Sequence, residues 1–393
     1  MQLRLVSVGH LRESQGPPRF IVSAPPSPHQ VIDINPPAST QHHPIDPSTM
    51  SKGLVLVTGA NGYIAAVTVE ALLKAGYSVR GTVRSESSTK ALAAALPQYA
   101  DKLQFAIVPD IVAEGAFDEA VKGVDAVAHL ASPVATHFDD PEPVLRDAIV
   151  GTLRALESAN KEPSVKSFVL MSSIASVATP REDDYTYTEA DWNTFAENAV
   201  KEMGKETPGF VIYAASKVAG ERALWKFRDE HKPKFTVTAI NPCYVTGPPL
   251  LIPESADKLG LTYDVGPLLY LGKPIDKVGI PGAFHTYVDV RDVARVVVFA
   301  IDHPDKVNNE RYIVASAYAP PQAHADILRR AYPERADIIQ KGTPGEGYTP
   351  GTYAFPKSKV YDGSKARGLT GQDYIPLEKT VIDTVESLKS ILG

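Results

Sequence analysis

Residues 54–66, Leu-Val-Leu-Val-Thr-Gly-Ala-Asn-Gly-Tyr-Ile-Ala-Ala, restrict the fold more than any other stretch. Leu54 to Val57 form an unbroken apolar run that reads as a buried strand. A glycine turn follows, and apolar spacing from Tyr63 to Ala75 predicts a helix closed by Gly76. Strand, glycine turn and helix together open a dinucleotide-binding βαβ unit. Gly59 permits a tight turn, Gly62 lets a pyrophosphate approach the backbone, and Ala65 lets helix and strand pack closely. The helix N-terminus then faces the phosphates with free N–H groups and the positive end of its dipole. The spacing is Gly-x-x-Gly-x-x-Ala rather than Gly-x-Gly-x-x-Gly.

A chain of 393 residues, 44% of them apolar, has enough material for one large α/β domain or two smaller ones. No run reaches the roughly 18–20 apolar residues that a membrane span needs. With a net charge of −6 and a pI of about 6.0, nothing points to nucleic acid or an anionic membrane surface. Cys243 is the one cysteine, which excludes an internal disulfide and any metal site built on clustered cysteines. No metal ligand set is expected. The simplest compartment is a reducing one, so a cytoplasmic protein, monomer or homodimer, is expected.

Residues 1–50 differ from the rest. They hold nine of the 33 prolines and four of the ten histidines, without helical or strand periodicity. Such a segment buries too little surface to offset its ordering, so a disordered Pro-rich tail is expected. Glu13, Asp33 and Asp46 spoil a transit-peptide pattern, and no signal-peptide apolar core is present. Met50-Ser51-Lys52-Gly53 looks like a natural start, which leaves a functional tail and a mis-assigned upstream start both open. The His42-His43 pair reads as solvated tail rather than metal ligand.

From Gly53 the chain alternates strand and helix. Strands are expected at 54–58, 78–83, 103–108, 126–130, 167–171 and 236–240. Helices are expected at 63–75, 89–96, 116–122, 143–158 and 212–229, with later ones at 290–301, 323–331 and 377–392. Regular alternation predicts a Rossmann-type, doubly wound parallel sheet covered on both faces. Proline and glycine become frequent after Asn241. The expected layout is a nucleotide-binding domain over 51–242, rejoined by 285–315, and a smaller C-terminal substrate lobe built from 243–284 and 316–393. Ligands in such sheets sit beyond the strand C-termini where strand order reverses.

The second strand ends Thr82-Val83-Arg84-Ser85, with no acidic residue to take the adenine-ribose hydroxyls of NAD. A guanidinium suits the extra 2′-phosphate of NADP, and Lys90 adds a second positive charge. Asp110 and Ile111 follow the third strand and are expected at the cofactor, where Asp110 either holds the adenine amino group or caps the segment after it. Tyr213 and Lys217 have Tyr-x-x-x-Lys spacing on an expected helix, so both side chains share one face. A phenol with a pKa of about 10 is a poor acid at neutral pH, and an adjacent ammonium stabilises its phenolate. The same lysine can hydrogen-bond the nicotinamide-ribose hydroxyls, so Tyr213 and Lys217 are expected to bind cofactor as well. Ser172-Ser173 ends the fifth strand at the ligand-binding edge, where a hydroxyl can hold a carbonyl oxygen beside the phenol. Each part alone is ordinary; their joint placement after a nucleotide turn is not.

Thr58 to Ala65, Arg84, Ser173 and Tyr213-Ala214-Ala215-Ser216-Lys217 resemble the extended short-chain dehydrogenase/reductases. The chain is most similar to their dihydroflavonol reductase, cinnamoyl-CoA reductase and fungal aldehyde/ketone (methylglyoxal-type) reductase branch. Val83 to Ser85, Ala128 to Pro133 and Asn241 to Pro248 fit that branch as well. The resemblance covers 53 to about 390. It implies NADPH-dependent reduction of an aldehyde or ketone, with NADP(H) as cofactor and a small-molecule carbonyl as partner. It makes Ser173, Tyr213 and Lys217 catalytic, with Ser172 as the alternative serine. It assigns Thr58, Gly59, Asn61, Gly62, Tyr63 and Ile64 to the dinucleotide turn and Arg84 to the 2′-phosphate. Leu130, Ala131 and Ser132 flank the dinucleotide, and Pro242, Tyr244 and Val245 pass near the nicotinamide. The acidic stretch 181–209, with Trp192, is expected to line or cover the substrate. His129 reads as a packed core histidine, Cys243 as a small buried residue, Asp289 as a helix cap, and Asp139, Asp140 and Glu142 as a solvated turn. Two rivals share the fold: a sugar-nucleotide epimerase or dehydratase with tightly held NAD, and a non-catalytic NADP sensor.

Overall fold

A computed structural model of the chain describes residues 31–32, 51–132, 140–260, 263–279 and 285–393. The rest of the Pro-rich tail, its His42-His43 pair, Pro133 and Asp139 lie outside the described residues. Strand β1 (Val31–Ile32) comes first, followed by β2 (Leu54–Thr58), α1 (Tyr63–Lys74), β3 (Ser78–Val83), α2 (Lys90–Ala95), β4 (Leu103–Ile107) and β5 (Ala126–His129). Then come α3 (Pro141–Lys161), β6 (Ser167–Met171), β7 (Tyr185–Tyr187), α4 (Thr194–Met203), α5 (Gly209–His231) and β8 (Thr236–Pro242). Next are β9 (Tyr244–Thr246), α6 (Val265–Tyr270), β10 (Thr286–Asp289), α7 (Val290–Asp302), α8 (Pro304–Val307), β11 (Glu310–Val314) and β12 (Ala317–Tyr318). The chain closes with α9 (Pro321–Ala331), β13 (Lys359–Tyr361), α10 (Ser364–Thr370) and α11 (Leu377–Leu392).

The main sheet runs β1-β4-β3-β2-β5-β6-β8-β11, parallel except for β1, which pairs antiparallel with β4. Val31–Ile32 is a strand within a segment whose sequence shows no strand periodicity. One face of the sheet buries Val55, Val57 and Val79 under α1 and α7, through Val69, Leu72, Val293 and Val297. The other buries Leu56, Val127 and Phe168 under α3 and α5, through Leu156, Leu224 and Phe227. Strands apolar on both faces form such a core because neither face meets water. A separate core of Leu269, Tyr287, Ala323, Leu328, Val381 and Leu388 joins α6, α9 and α11 to a small β12-β10-β9 sheet. β7 pairs with β13 in a third sheet.

The helix expected at 116–122 is a run of turns. Ala116, Phe117, Ala120 and Val121 are buried, so the apolar spacing is genuine. Gly115 and Gly123, at φ +66° and +70°, bracket a segment too short to sustain a helix. Asp140, expected in a solvated turn, instead caps α3 by accepting from Glu142 N at 3.1 Å. Asp289 caps α7, accepting from Arg291 N at 2.8 Å.

Gly81 carries a requirement not evident from spacing. A Cβ there would lie 2.6 Å from the Ala60 Cβ, and both positions are fixed by backbone. Gly81→Ala therefore forces β3 away from the glycine turn. Denaturant unfolding should show a loss of about 1–3 kcal/mol; unchanged stability would mean that the two segments separate freely.

Candidate active site

Strand order reverses between β2 and β5, with β3 and β4 on one side and β6, β8 and β11 on the other. Thr58 and His129 are register partners at that point, so the turn after β2 and the loop after β5 leave the sheet together. Gly59 sits at φ +65°, where L side chains are strained, and its N–H donates to Thr82 Oγ1 at 3.0 Å. Gly62 N donates to Gly59 O at 2.8 Å, closing the turn. α1 starts from Gly62 with no side-chain cap and no acidic residue in its first turn. Asn61 and Gly62 are exposed. The first-turn N–H groups are thus open to an anion.

Arg84 ends β3 at the neighbouring rim. It is exposed, and its side chain has no hydrogen-bond or ion-pair partner among the described residues, as is also true of the Lys90 side chain at the start of α2. An uncapped helix end beside two uncommitted cations fits the diphosphate and 2′-phosphate of NADP. Asp110 is exposed and accepts from Val112 N at 3.0 Å, the local capping option. Ile111 packs on Gly151, where a Cβ would lie 3.1 Å from its Cδ1.

Thr58 is wholly buried. Its Oγ1 accepts from Leu130 N at 3.0 Å and Ala131 N at 2.9 Å, and lies 3.0 Å from His129 Nδ1. Its side chain therefore holds the loop after β5 and does not reach the groove. His129 is buried, and burial, helped by the charge on Lys217, pushes its pKa from 6.5 down to about 3. A neutral core imidazole is no general base. NMR should show no titration of the His129 ring between about pH 5 and 8. Because the unfolded chain binds the proton more tightly, His129 favours folding fully above 6.5, and that contribution is lost as pH falls towards 3.

Ser172 and Ser173 end β6 but differ in environment. Ser172 Oγ is buried and donates to Glu221 Oε2 at 2.6 Å. Ser173 Oγ accepts from Ala175 N at 3.2 Å and keeps its own proton available. Tyr213 and Lys217 are both half-buried on α5, with Lys217 Nζ 5.7 Å from the Tyr213 ring centroid. Lys217 Nζ donates to Ser132 Oγ at 2.9 Å, which places the ammonium at the end of β5, beside β6. The Tyr213 hydroxyl makes no hydrogen bond among the described residues. A small cavity under these groups is lined by Ile111, Ser132, Gly151, Ser172 and Lys217.

Comparison with known proteins bears directly on this geometry. The model of the NAD dependent epimerase/dehydratase family matches residues 55–315. The chain belongs to that family, the extended short-chain dehydrogenase/reductases. Within it, the NADPH-dependent methylglyoxal reductase GRE2 of Saccharomyces cerevisiae is 34% identical over 86% of this chain and 99% of its own length. Cinnamoyl-CoA reductase CAD2 of Medicago truncatula is 34% identical over 86% of this chain and 95% of its own. The crystal structure of yeast methylglyoxal/isovaleraldehyde reductase Gre2 with NADPH superposes with a TM-score of 0.74 at 31% identity, covering 86% of this chain and 98% of that one. The fold is therefore the Rossmann-like fold of the extended short-chain reductases.

Other positions in this family member lie where spacing did not anticipate. The Tyr63 hydroxyl donates to Gly247 O at 2.8 Å and its ring packs on Tyr263 at 4.6 Å, so the phenol serves the second core. Burial raises its pKa well above the ordinary value. Pro242 and Val245 are buried, Ile64 packs against the core, and Tyr244 is half-buried against Tyr287 at 5.2 Å. Leu130, Ala131 and Ser132 stay half-exposed at the groove. Cys243 is buried and burial raises its thiol pKa, leaving it inert. Glu221, Arg311 and Asn241 escaped the sequence reading as parts of the site. An acidic residue on the apolar face of α5, one turn beyond Lys217, is the signal for the first.

Proposed function

We propose that this chain reduces an aldehyde or ketone to an alcohol with NADPH. The observation that carries the reading is the placement of Lys217, 5.7 Å from the Tyr213 ring centre and bonded to Ser132 after β5, with Ser173 at the end of the adjacent β6 and an uncapped N-terminus on α1. The backbone from Gly59 to Gly62 would hold the pyrophosphate, and Arg84, seconded by Lys90, the 2′-phosphate. When bound, NADPH supplies hydride to the carbonyl carbon. Ser173 donates a hydrogen bond to the carbonyl oxygen and orients it. Tyr213 gives that oxygen its proton, completing the alcohol. Lys217, held by Ser132, stabilises the phenolate left behind.

Relatives named for methylglyoxal and cinnamoyl-CoA reduction, matched over nearly their whole length, support carbonyl reduction over nucleotide-sugar chemistry. The present catalytic tyrosine argues against a purely sensing role. The test is purified protein with a panel of aldehydes and ketones. One NADPH should disappear per alcohol formed. Tightly bound NAD co-purifying with the chain, and no turnover of any carbonyl, would sink the reading.

A further inference from the structure

We propose that Glu221, paired with Arg311, is a positioning residue that sets the separation of Tyr213 from Ser173 and couples both to the segment 189–193. This builds on the reductase reading above. Glu221 lies one helical turn beyond Lys217 and two beyond Tyr213, so all three share a face of α5. It is buried, and its carboxylate is saturated with donors. Oε2 accepts from Ser172 Oγ at 2.6 Å, Ser176 Oγ at 2.6 Å and Asn241 Nδ2 at 2.8 Å. Oε1 accepts from Arg311 Nε at 2.5 Å and Trp225 Nε1 at 3.3 Å.

These donors surround Ser173. Ser172 is its chain neighbour, and Ser173 O lies 2.8 Å from Ser176 Oγ and 3.3 Å from Asn241 Nδ2. The serine backbone therefore hangs on groups that are themselves tied to the helix bearing the phenol. Arg311 carries the link outward. Its Nη1 donates to Glu189 O at 2.8 Å and Asp191 O at 2.5 Å, and its guanidinium stacks 4.0 Å from the Trp192 ring centre. Asn193 closes the circuit, donating through its N to Ser176 O at 2.9 Å and through Nδ2 to Ala175 O at 2.9 Å.

Stability alone does not account for this arrangement. A buried ion pair replaced by apolar residues of similar volume is often neutral or stabilising. What a fully satisfied, directional network supplies is one fixed geometry. Its loss should fall on the chemical step, since a displacement of about 1 Å can cost about 100-fold in rate.

The test compares the parent with the double variant E221M/R311M, which removes both charges together, and with S176A, which leaves the ion pair intact. The double variant should melt cooperatively and bind NADPH within about threefold of the parent, yet lose about 10- to 100-fold in kcat, with KM little changed. S176A should lose about threefold or more in kcat on the same pattern. A folded double variant with kcat within about twofold of the parent overturns the proposal. If the double variant does not melt cooperatively, S176A decides alone, and unchanged kcat overturns it. A parent inactive on every carbonyl defeats the reductase reading instead. Positioning is then judged by crystal structures of parent and S176A: an unchanged separation of Tyr213 Oη from Ser173 Oγ overturns it.

Discussion

Tyr213→Phe should lower kcat for carbonyl reduction by about 100- to 10,000-fold, the range general acid catalysis supplies. The substitution removes one oxygen. That oxygen makes no hydrogen bond among the described residues, so no structural contact goes with it. The half-buried ring keeps its packing on α5, and Lys217 keeps its bond to Ser132. Thermal unfolding and NADPH affinity should therefore stay at the parent values while turnover collapses. Steady-state kinetics with NADPH, paired with a fluorescence titration of the cofactor, separates the two quantities. Turnover at the parent rate would mean that the proton comes from elsewhere, and the proposed mechanism would be wrong.

Arg84→Ala should weaken NADPH by about 10- to 100-fold and leave NADH nearly unchanged. A charged hydrogen bond contributes about 1.5–3 kcal/mol, and each 1.4 kcal/mol is tenfold. Arg84 is exposed and its side chain has no partner among the described residues, so its loss leaves no buried charge and costs the fold little. The effect should shrink as salt rises, because the contact is exposed to solvent. Lys90→Ala should act in the same direction with a smaller magnitude, since an ammonium engages phosphate as a point charge rather than bidentately. Equal losses for NADPH and NADH would mean that Arg84 does not read the 2′-phosphate.

The two predictions rest on residues legible without a structure, and it is clear why. The glycine turn, the Arg at the strand end and the Tyr-x-x-x-Lys pair are all patterns within one element or one junction. There, a spacing of three or four residues dictates which side chains share a face. Reading turned unreliable wherever a side chain's partner came from elsewhere. Thr58 and Tyr63 sit in the turn motif, yet Thr58 serves the backbone of Leu130 and Ala131, and Tyr63 reaches Gly247. The segment 116–122 has helical apolar spacing but is closed by two glycines into turns. Ser172 and Ser173 are identical in kind and adjacent in sequence. Only the buried carboxylate against Ser172 tells their hydroxyls apart.

From sequence alone came the βαβ alternation, the glycine turn, the missing acid at the end of β3, and the phenol and ammonium on one helix face. All of these follow from local backbone rules. The tertiary structure alone decided which serine keeps a usable hydroxyl, which motif side chains turn inward, and how α5 is held against the sheet. To the apolar packing of Leu224 and Phe227 it adds the buried pair of Glu221 and Arg311, 90 positions apart in the chain. They meet because β11 enters the sheet beside β8, under the buried face of α5. Strand order of that kind emerges from the packing of the whole core, and no short-range pattern encodes it.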